Sequence, residues 1–274
     1  NRGCVPTKAL LHAAMGYEEI SRLGAWGITA EHAAYDLQRM YARKEEVVAT
    51  LREGVERLLQ QNGVTLVFGT GVLRDGRTVA VGEEVLQGER ILLATGAVPI
   101  LPDIPGKNFS GVVTSDGLLA APPPGKRLVI IGGGAIGVEF ASLFAPLGYE
   151  VTLLEAMGRL LPQMDREISQ SASLLLKNQG VRVLPGARVT AIQEEENALF
   201  VSYEAGDAQG RAAGDTVLMA VGRRADTRGL FEKNIAPALH QGRIVTDESH
   251  QTSIPGVYAI GDVASPLQLA QAAS

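Results

Sequence analysis

The sequence predicts an α/β protein of about two domains, and three observations support this prediction. Apolar stretches of strand length alternate with helical patterns over residues 128–184, which is typical of βαβ units and a parallel sheet. A glycine-rich hexapeptide lies between the first of these strands and the first of these helices. The chain has 274 residues, of which 46% are hydrophobic and only 5% aromatic, so sizeable cores must be built from aliphatic side chains.

The first hundred residues predict two helices followed by short strands. Pro6 suits the first turn of a helix that continues through residues 9–15. A second helical stripe of apolar residues covers residues 36–62, with Asp36 as its N-cap and Gly63 as its stop. Turn residues and apolar runs predict strands at 64–68, 78–81 and 90–94. Three prolines predict an extended linker over residues 98–105.

The chain beyond the proline-rich residues 122–125 alternates between strands and helices. The pattern predicts, in order, strand 128–131, helix 135–147, strand 150–154, helix 168–177 and strand 181–184. Pro146 is expected to end or kink the first of these helices. Polar-rich strands over residues 188–220 predict an antiparallel meander. A strand at 257–260 follows, and residues 269–274 are expected to start a helix.

Composition and charge exclude several classes of function. The chain has 25 Lys and Arg against 30 Asp and Glu, so its formal net charge of −5 gives no basic footprint for nucleic acid or an anionic membrane. No apolar run approaches the roughly 18 residues of a spanning helix. A single cysteine, Cys4, excludes a disulfide framework within the chain and a zinc site built on thiolates. The four histidines show no metal-ligand spacing, and no metal is predicted.

A dinucleotide-binding motif is predicted where the glycine-rich hexapeptide opens a helix. The motif G-x-G-x-x-G is matched by Gly132, Gly133, Gly134, Ala135, Ile136 and Gly137. The first glycine permits the tight turn, the second a close approach of the backbone to a pyrophosphate, and the last a close helix–strand packing. The N–H groups at the start of the helix favour phosphates. The alternative is a glycine-rich turn without a ligand.

Glu155 follows the next predicted strand, 23 residues after Gly132. A carboxylate at this place accepts hydrogen bonds from an adenosine ribose and repels a 2′-phosphate, which favours NAD over NADP. The nearby Arg159 weakens that preference slightly. The alternative is an incidental surface glutamate.

Cys4 is expected at the positive end of the first helix, where a thiolate is stabilised. Lys8 follows one turn later on the same face. The alternative is a buried, inert cysteine before an ordinary amphipathic helix, and these residues alone leave both interpretations open.

The opening octapeptide, Asn1-Arg2-Gly3-Cys4-Val5-Pro6-Thr7-Lys8, resembles the redox-active signature of the pyridine nucleotide–disulfide oxidoreductases. The pattern of that family is Gly-Gly-x-Cys-Leu-Asn-x-Gly-Cys-x-Pro-x-Lys. Three further segments resemble family motifs in the same order: residues 94–99, with Ala-Thr-Gly and a proline; residues 221–224, Val-Gly-Arg-Arg; and residues 256–262, Gly-Val-Tyr-Ala-Ile-Gly-Asp. The resemblance covers essentially the whole chain.

Within the family, the chain is most similar to the dihydrolipoyl dehydrogenases. The resemblance implies oxidation of dihydrolipoamide by FAD and NAD through a redox-active disulfide that includes Cys4. Lys8 would lie near the flavin N5, and Glu139 matches the family glutamate that pairs with this lysine. For Glu139 the alternative is a solvated first-turn residue that complements the helix dipole. Another reductase of the family, acting on Hg(II) or on a low-molecular-weight disulfide such as that of glutathione, is the alternative function.

Further cofactor contacts are implied by position. Those with FAD are Gly71, Thr95, Gly96, Asp262 and Ala270, and those with NAD, besides the glycine motif and Glu155, are Val189 and Gly222. Two departures from the family pattern concern these regions. Gln271 stands where the dihydrolipoyl dehydrogenases usually have His, and Ala225-Asp226 replaces the common Pro-Asn.

The resemblance implies two Rossmann-like domains, each with an antiparallel meander. We expect residues 1–114 to begin an FAD-binding domain, residues 115–240 to form an inserted NAD-binding domain, and residues 241–274 to continue the first. It also implies that the chain is a fragment. The family's second cysteine stands five positions before Cys4, a first FAD-binding unit lies further upstream, and a dimerisation domain follows Ser274.

The implied partners of the parent protein are a second copy of itself and the lipoyl domain of a 2-oxo-acid dehydrogenase or glycine cleavage complex. The expected location is the cytoplasm, or the mitochondrial matrix in a eukaryote. A non-catalytic nucleotide-binding protein is the alternative from another class. It would be favoured if the residue five positions before Cys4 were not cysteine.

Overall fold

The computed structural model describes residues 2–30, 32–196 and 198–273, so Asn1 and Ser274, the ends of two predicted segments, lie outside it. The α-helices of the described residues are α1 (Cys4–Arg22), α2 (Leu37–Gln61), α3 (Ser115–Ala120), α4 (Ala135–Phe144) and α5 (Arg166–Asn178). Short 3-10 helices cover Leu23–Trp26, Ala145–Leu147, Gly261–Val263 and Ala270–Ala273.

Strands fall on both sides of the predicted nucleotide-binding segment. Before it come β1 (Gly71–Asp75), β2 (Thr78–Val81), β3 (Glu84–Gln87), β4 (Ile91–Leu93), β5 (Ala97–Pro99) and β6 (Val112–Thr114). Within it are β7 (Arg127–Ile131), β8 (Glu150–Glu155), β9 (Arg182–Pro185), β10 (Ala187–Glu195), β11 (Ala198–Ala205), β12 (Ala208–Gly214) and β13 (Thr216–Met219). The last strands are β14 (Arg223–Ala225), β15 (Leu239–His240), β16 (Arg243–Ile244) and β17 (Val257–Ala259).

The described residues divide into two compact units. The first consists of Asn1–Glu56 and Pro99–Gly222, and the second of Arg57–Val98 and Arg223–Ser274. The first unit therefore contains both α1 and the segment with the glycine motif. The predicted division into FAD- and NAD-binding domains stays a prediction.

The first unit is built on a five-stranded parallel sheet in the order β6-β13-β7-β8-β9, which confirms the predicted α/β class. Side chains of β7 alternate between two cores. Leu128 and Ile130 belong to a cluster that contains Phe140 and Phe144 of α4, whereas Val129 and Ile131 pack with residues of the antiparallel meander β10-β11-β12. The sheet is therefore covered on both faces, as the near-continuous apolar sequence of its strands requires.

The second unit contains an antiparallel β1-β2-β3 sheet and the parallel pair β4 and β17. Leu93 and the fully buried Val257 and Ala259 form its core with Leu73 of β1. The parallel pairing brings two predicted cofactor-binding segments to the same end of neighbouring strands.

Local signals in the sequence account for the ends of the helices. The Asp36 carboxylate accepts the backbone N–H of Arg39 at 3.1 Å, which confirms the predicted cap of α2. The α-helix α4 ends at Phe144, and Pro146 lies in the 3-10 turn that follows, as predicted.

Two predicted elements are wrong in detail. Residues 64–68 form no strand, because no strand of the described residues pairs with them and most of their side chains are exposed. The predicted meander is too long, since β13 leaves it and pairs in parallel with β6 and β7. All four side chains of β13 are buried, which suits the centre of a parallel sheet. The helix expected in the last segment is found as the 3-10 helix Ala270–Ala273.

Candidate functional site

The cysteine lies at the first turn of α1. Gly3 is the N-cap. Its carbonyl accepts hydrogen bonds from the backbone N–H of Thr7 at 3.1 Å and from the Thr7 hydroxyl at 2.8 Å. Cys4 is exposed and forms no disulfide among the described residues, so the alternative of a buried cysteine is not found. The start of a helix is a position that favours negative charge.

Lys8 connects this helix to the helix of the glycine motif. Its ammonium donates to the Oε1 atom of Glu139, and α1 packs against α4 within the first unit. Glu139 therefore has a specific partner and is not merely a solvated residue at the start of a helix. Glu139 therefore holds the ammonium of Lys8, a residue one helical turn after Cys4, in place.

The glycine motif forms a tight turn between β7 and α4. Gly132 has a φ of +112°, and its N–H donates to the carbonyl of Leu154 at 2.8 Å. A Cβ atom on Gly137 would lie 1.9 Å from the Gly132 carbonyl oxygen, so a side chain there is incompatible with this packing. Gly134, in contrast, has no heavy atom within 4 Å of the place of a Cβ. This open backbone at a helix start fits a phosphate group, as the motif predicts.

Glu155 ends β8 and is only 8% exposed, so it is not an incidental surface residue. One carboxylate oxygen accepts the N–H of Gly133 at 2.5 Å, and the other accepts the N–H of Met157 at 2.7 Å. A carboxylate has about four acceptor positions, and these two bonds leave others for the hydroxyls of a ribose.

Gly222 lies at the carboxyl edge of the parallel sheet, whereas Val189 belongs to the separate antiparallel sheet β10-β11-β12. Gly222 has a φ of +123° and follows β13, while Val189 lies in β10 beside an irregularity in the pairing with β11. A Cβ on Gly132 would lie 2.4 Å from the carbonyl oxygen of Ala220, which places the loop after β13 against the glycine turn. The carboxyl edge of a parallel sheet is where such folds bind ligands.

The predicted FAD contacts lie in the second unit. Thr95 and Gly96 follow β4, and Asp262 follows the neighbouring parallel strand β17. The Thr95 hydroxyl donates to the Asp226 carbonyl at 3.1 Å, and Gly96 has a φ of +73° with nothing within 4 Å of the place of a Cβ. The carboxylate of Asp262 accepts no hydrogen bond from the described residues, so it is open to the hydroxyls of a ligand.

Two further residues predicted to contact FAD, Gly71 and Ala270, also belong to the second unit. Gly71 begins β1, where a Cβ would touch Val79 at 3.4 Å. Ala270 begins the last 3-10 helix, which packs against the 3-10 helix of Asp262. Gln271, the departure from the family pattern, lies in that same last helix.

Sequence reasoning missed the loop that follows Glu155. Leu161 donates its N–H to the Gly133 carbonyl at 2.8 Å, and the hydroxyl of the buried Ser169 donates to the Leu160 carbonyl at 2.5 Å. The loop borders a pocket of about 780 Å³ whose lining includes Arg159 and Arg166. The signal in the sequence was the apolar pair Leu160-Leu161 directly after Arg159.

An ion pair joins Arg127, the first residue of β7, to Asp215, which directly precedes β13. Hydrogen bonds from the Arg127 guanidinium, together with the backbone N–H groups of Arg127 and Lys126, lower the pKa of Asp215 from 3.8 to about 2. Burial in the cluster that contains Phe140 and Phe144 raises the pKa of Tyr149 to about 12.

Among the described residues, no group of three or more His, Cys, Asp or Glu could hold a metal ion. None of the described helices combines the length and apolarity needed to cross a bilayer.

Comparisons with known proteins cover the whole chain. A sequence model of the pyridine nucleotide-disulphide oxidoreductases matches residues 1–274. Similar curated proteins include the dihydrolipoyl dehydrogenases of Acholeplasma laidlawii, 36% identical with 81% of that protein covered, and of Thermus scotoductus, 37% identical with 60% covered. All of this chain is matched in both cases.

Solved structures give the same result. The HOCl-induced flavoprotein disulfide reductase RclA from Escherichia coli is 34% identical, with a TM-score of 0.85 over 100% of this chain and 59% of that one. A Cu(II) complex of the same reductase matches with a TM-score of 0.84. The chain spans about three fifths of the length of these structures and of most of the curated relatives.

Proposed function

Because the chain belongs to the pyridine nucleotide-disulphide oxidoreductase family, we propose that it is the redox and nucleotide-binding part of an NAD-dependent dihydrolipoyl dehydrogenase. Members of the family use FAD and NAD. The proposed reaction oxidises the dithiol of a protein-bound dihydrolipoyl group to the lipoyl disulfide and reduces NAD to NADH, with release of one proton.

The observation that carries this proposal is the ion pair between Lys8 and Glu139. It joins the helix that begins at Cys4 to the helix that begins at the glycine turn, so a redox-active sulfur and a dinucleotide site share one compact unit. A nucleotide-binding protein without redox chemistry would not need this connection.

Cys4 would act with the cysteine that stands five positions earlier in the family pattern. Exchange between their disulfide and the substrate dithiol would form the lipoyl S–S bond and leave both enzyme sulfurs reduced. Bound FAD would supply the two-electron chemistry that links these sulfurs to the nicotinamide. Lys8 would hold a positive charge beside the flavin ring, and Glu139 would fix the position of Lys8.

The residues present fit both cofactors. For NAD, the open backbone at Gly134 would take the pyrophosphate and the free acceptor positions of Glu155 the adenosine ribose, with Val189 and Gly222 nearby. For FAD, the unpaired carboxylate of Asp262 would accept ribityl hydroxyls next to the Thr95-Gly96 turn. Gly71 and Ala270 would contribute main-chain contacts.

The partners follow from the proposed substrate. They are the lipoyl domain of a 2-oxo-acid dehydrogenase or glycine cleavage complex and, for the whole protein, a second copy of itself. The proposed location is the cytoplasm, or the mitochondrial matrix in a eukaryote.

A second candidate is a flavoprotein disulfide reductase with another electron acceptor. RclA, of which a Cu(II) complex is known, is as similar to this chain as the dihydrolipoyl dehydrogenases are, at 34% identity. Gln271 in place of the usual His also separates this chain from the dihydrolipoyl dehydrogenase pattern.

The test uses the full-length protein. A protein loaded with FAD should show flavin absorption bands and should form NADH from dihydrolipoamide and NAD. The variant Cys4→Ser should retain the flavin bands but lose this activity. A colourless protein would contradict the FAD proposal. Rapid oxidation of NADH with Cu(II), without turnover of dihydrolipoamide or lipoamide, would favour the second candidate.

A further inference from the structure

The loop of residues 156–165 forms one hydrogen-bonded unit with the glycine turn and Glu155. Leu161 donates its N–H to the carbonyl of Gly133, whose own N–H donates to the Glu155 carboxylate. The Leu160 side chain is 2% exposed and covers the same glycine, since a Cβ on Gly133 would lie 2.5 Å from its Cδ2 atom. The direction of the carboxylate therefore depends on where this loop places Leu160 and Leu161.

The loop needs support, because Leu161 has a φ of +47°. This left-handed conformation is uncommon for residues other than glycine and persists only when the surroundings hold it. One support is the bond from Ser169 of α5 to the Leu160 carbonyl. The other is Arg159, whose Nη2 atom donates to the carbonyls of Pro162 at 2.9 Å and Met164 at 3.2 Å.

We propose that Arg159 is a positioning residue for the coenzyme: it ties the two ends of the turn at Leu161 together and thereby holds Gly133 and the Glu155 carboxylate in the arrangement that binds the adenosine ribose. The proposal rests on the proposed role of Glu155 in NAD binding. It differs from a direct role, in which Arg159 would bind the 2′-phosphate of NADP.

Arg166 provides a matched control. It carries the same charge and lines the same pocket, but its side chain makes no hydrogen bond or ion pair with the described residues. Replacement of Arg166 therefore changes the charge of the pocket without releasing the loop.

The experiment compares Arg159→Gln, Arg159→Lys and Arg166→Gln in the FAD-loaded full-length protein. Dihydrolipoamide oxidation is measured at varied NAD and at varied NADP, and NADH binding by calorimetric titration. Loss of hydrogen bonds from a charged donor should raise the KM for NAD and the Kd for NADH about tenfold in Arg159→Gln, with kcat within about twofold. Arg166→Gln should match the wild type. Arg159→Lys, whose side chain is one bond shorter and does not bring its ammonium to the position of the Nη2 atom, should bind NADH more weakly than the wild type.

Several results would overturn the proposal. One is an unchanged Kd for NADH in Arg159→Gln, and another is an equal rise in Arg166→Gln, which would indicate a charge effect alone. A loss confined to NADP would identify Arg159 as a phosphate contact. If Arg159→Gln does not retain FAD, the titration of Arg159→Lys decides, and binding equal to the wild type contradicts the proposal. A wild type that binds NADH but does not oxidise dihydrolipoamide would contradict only the proposed substrate.

Discussion

Lys8 and Glu139, 131 positions apart in the sequence, form an ion pair between α1 and α4. The side chain of Lys8 is 61% exposed and that of Glu139 is 34% exposed. Exposed pairs contribute at most about 1 kcal/mol to stability. The pair therefore matters more for where it places a charge, beside the cysteine, than for the stability of the fold.

Replacement of either member should reduce activity without unfolding the protein. We expect Lys8→Met and Glu139→Gln each to lower kcat with dihydrolipoamide, because the positive charge that we propose to lie near the flavin would be removed or released. In a double-mutant cycle the two losses should be strongly non-additive, since both act on the same charge. Steady-state kinetics and thermal melting of all four proteins measure these effects.

Arg43 and Glu46, an exposed pair on α2, provide the control. Arg43→Met should leave kcat unchanged. Fully additive losses at Lys8 and Glu139 would show that the two side chains act independently.

Two glycines of the same motif should respond differently to alanine. Gly137→Ala should lower the free energy of unfolding by about 1–3 kcal/mol, because its methyl group would overlap the Gly132 carbonyl. Gly134→Ala meets no neighbouring atom and has a φ of −73°, which alanine adopts without strain, so stability should be preserved. Its methyl group should nevertheless raise the KM for NAD. Urea unfolding and kinetics separate the two effects, and an unchanged KM in Gly134→Ala would contradict the pyrophosphate site.

Elements whose signals are local could be predicted from the sequence. The strand–glycine–helix order of β7 and α4, the cap at Asp36 and the end of α4 before Pro146 each depend on neighbouring residues. The parallel pairing of β13 could not be predicted, because an apolar strand carries no information about its partners. Residues 64–68 have the composition of a strand but lack a neighbouring strand among the described residues.

The same distinction applies to the candidate site. The motif spacing predicted that Glu155 follows the strand next to the glycine turn. It could not predict the contacts of Arg159, because these join a side chain to backbone carbonyls around a left-handed leucine. Such contacts depend on the path of the loop, which no residue type specifies.

Asp215 predicts a dependence of stability on pH. Its pKa is lowered from 3.8 to about 2 in the folded protein, so its contribution is present above 3.8 and is lost as the pH falls through about 2. Asp215→Asn should lower the free energy of unfolding at neutral pH by about 1–2 kcal/mol, allowing for screening by water around Arg127. The difference from the wild type should vanish in strong acid. Urea unfolding over a pH series measures it.

Asp103 provides the control for this series, since its side chain is 100% exposed in its pair with Lys107. Asp103→Asn should change the free energy of unfolding much less than Asp215→Asn at every pH, because water screens a fully exposed pair. A difference between Asp215→Asn and the wild type that persists at low pH would indicate a packing defect rather than a lost charge.

Asp262 should be needed to retain FAD. Asp262→Ala removes a carboxylate that has no donor among the described residues and stands at the carboxyl end of β17 beside the Thr95-Gly96 turn. We expect the ratio of flavin to protein absorbance after purification to fall strongly, with the secondary structure preserved. Glu84→Ala, at an exposed position of β3 in the same unit, should retain the full ratio. Full flavin content in Asp262→Ala would exclude this residue from the site.

Glu155 should determine the choice between the two coenzymes. In Glu155→Gln the side chain keeps one acceptor oxygen, so only one of the N–H groups of Gly133 and Met157 retains its partner, and the negative charge is lost. The loss of a hydrogen-bond acceptor should raise the KM for NAD. The loss of the negative charge removes the repulsion of a 2′-phosphate and should lower the KM for NADP. The ratio of kcat/KM for NAD to that for NADP should therefore fall by about tenfold or more.

Glu150→Gln, an exposed substitution at the opposite end of β8, should leave that ratio unchanged. An equal loss with both coenzymes in Glu155→Gln would show that Glu155 supports the glycine turn without contacting the ribose. A fall in the ratio that comes only from weaker use of NAD would retain the ribose contact but remove the repulsive role. Only the combination of weaker NAD and stronger NADP use requires the carboxylate to act both as an acceptor and as a charge.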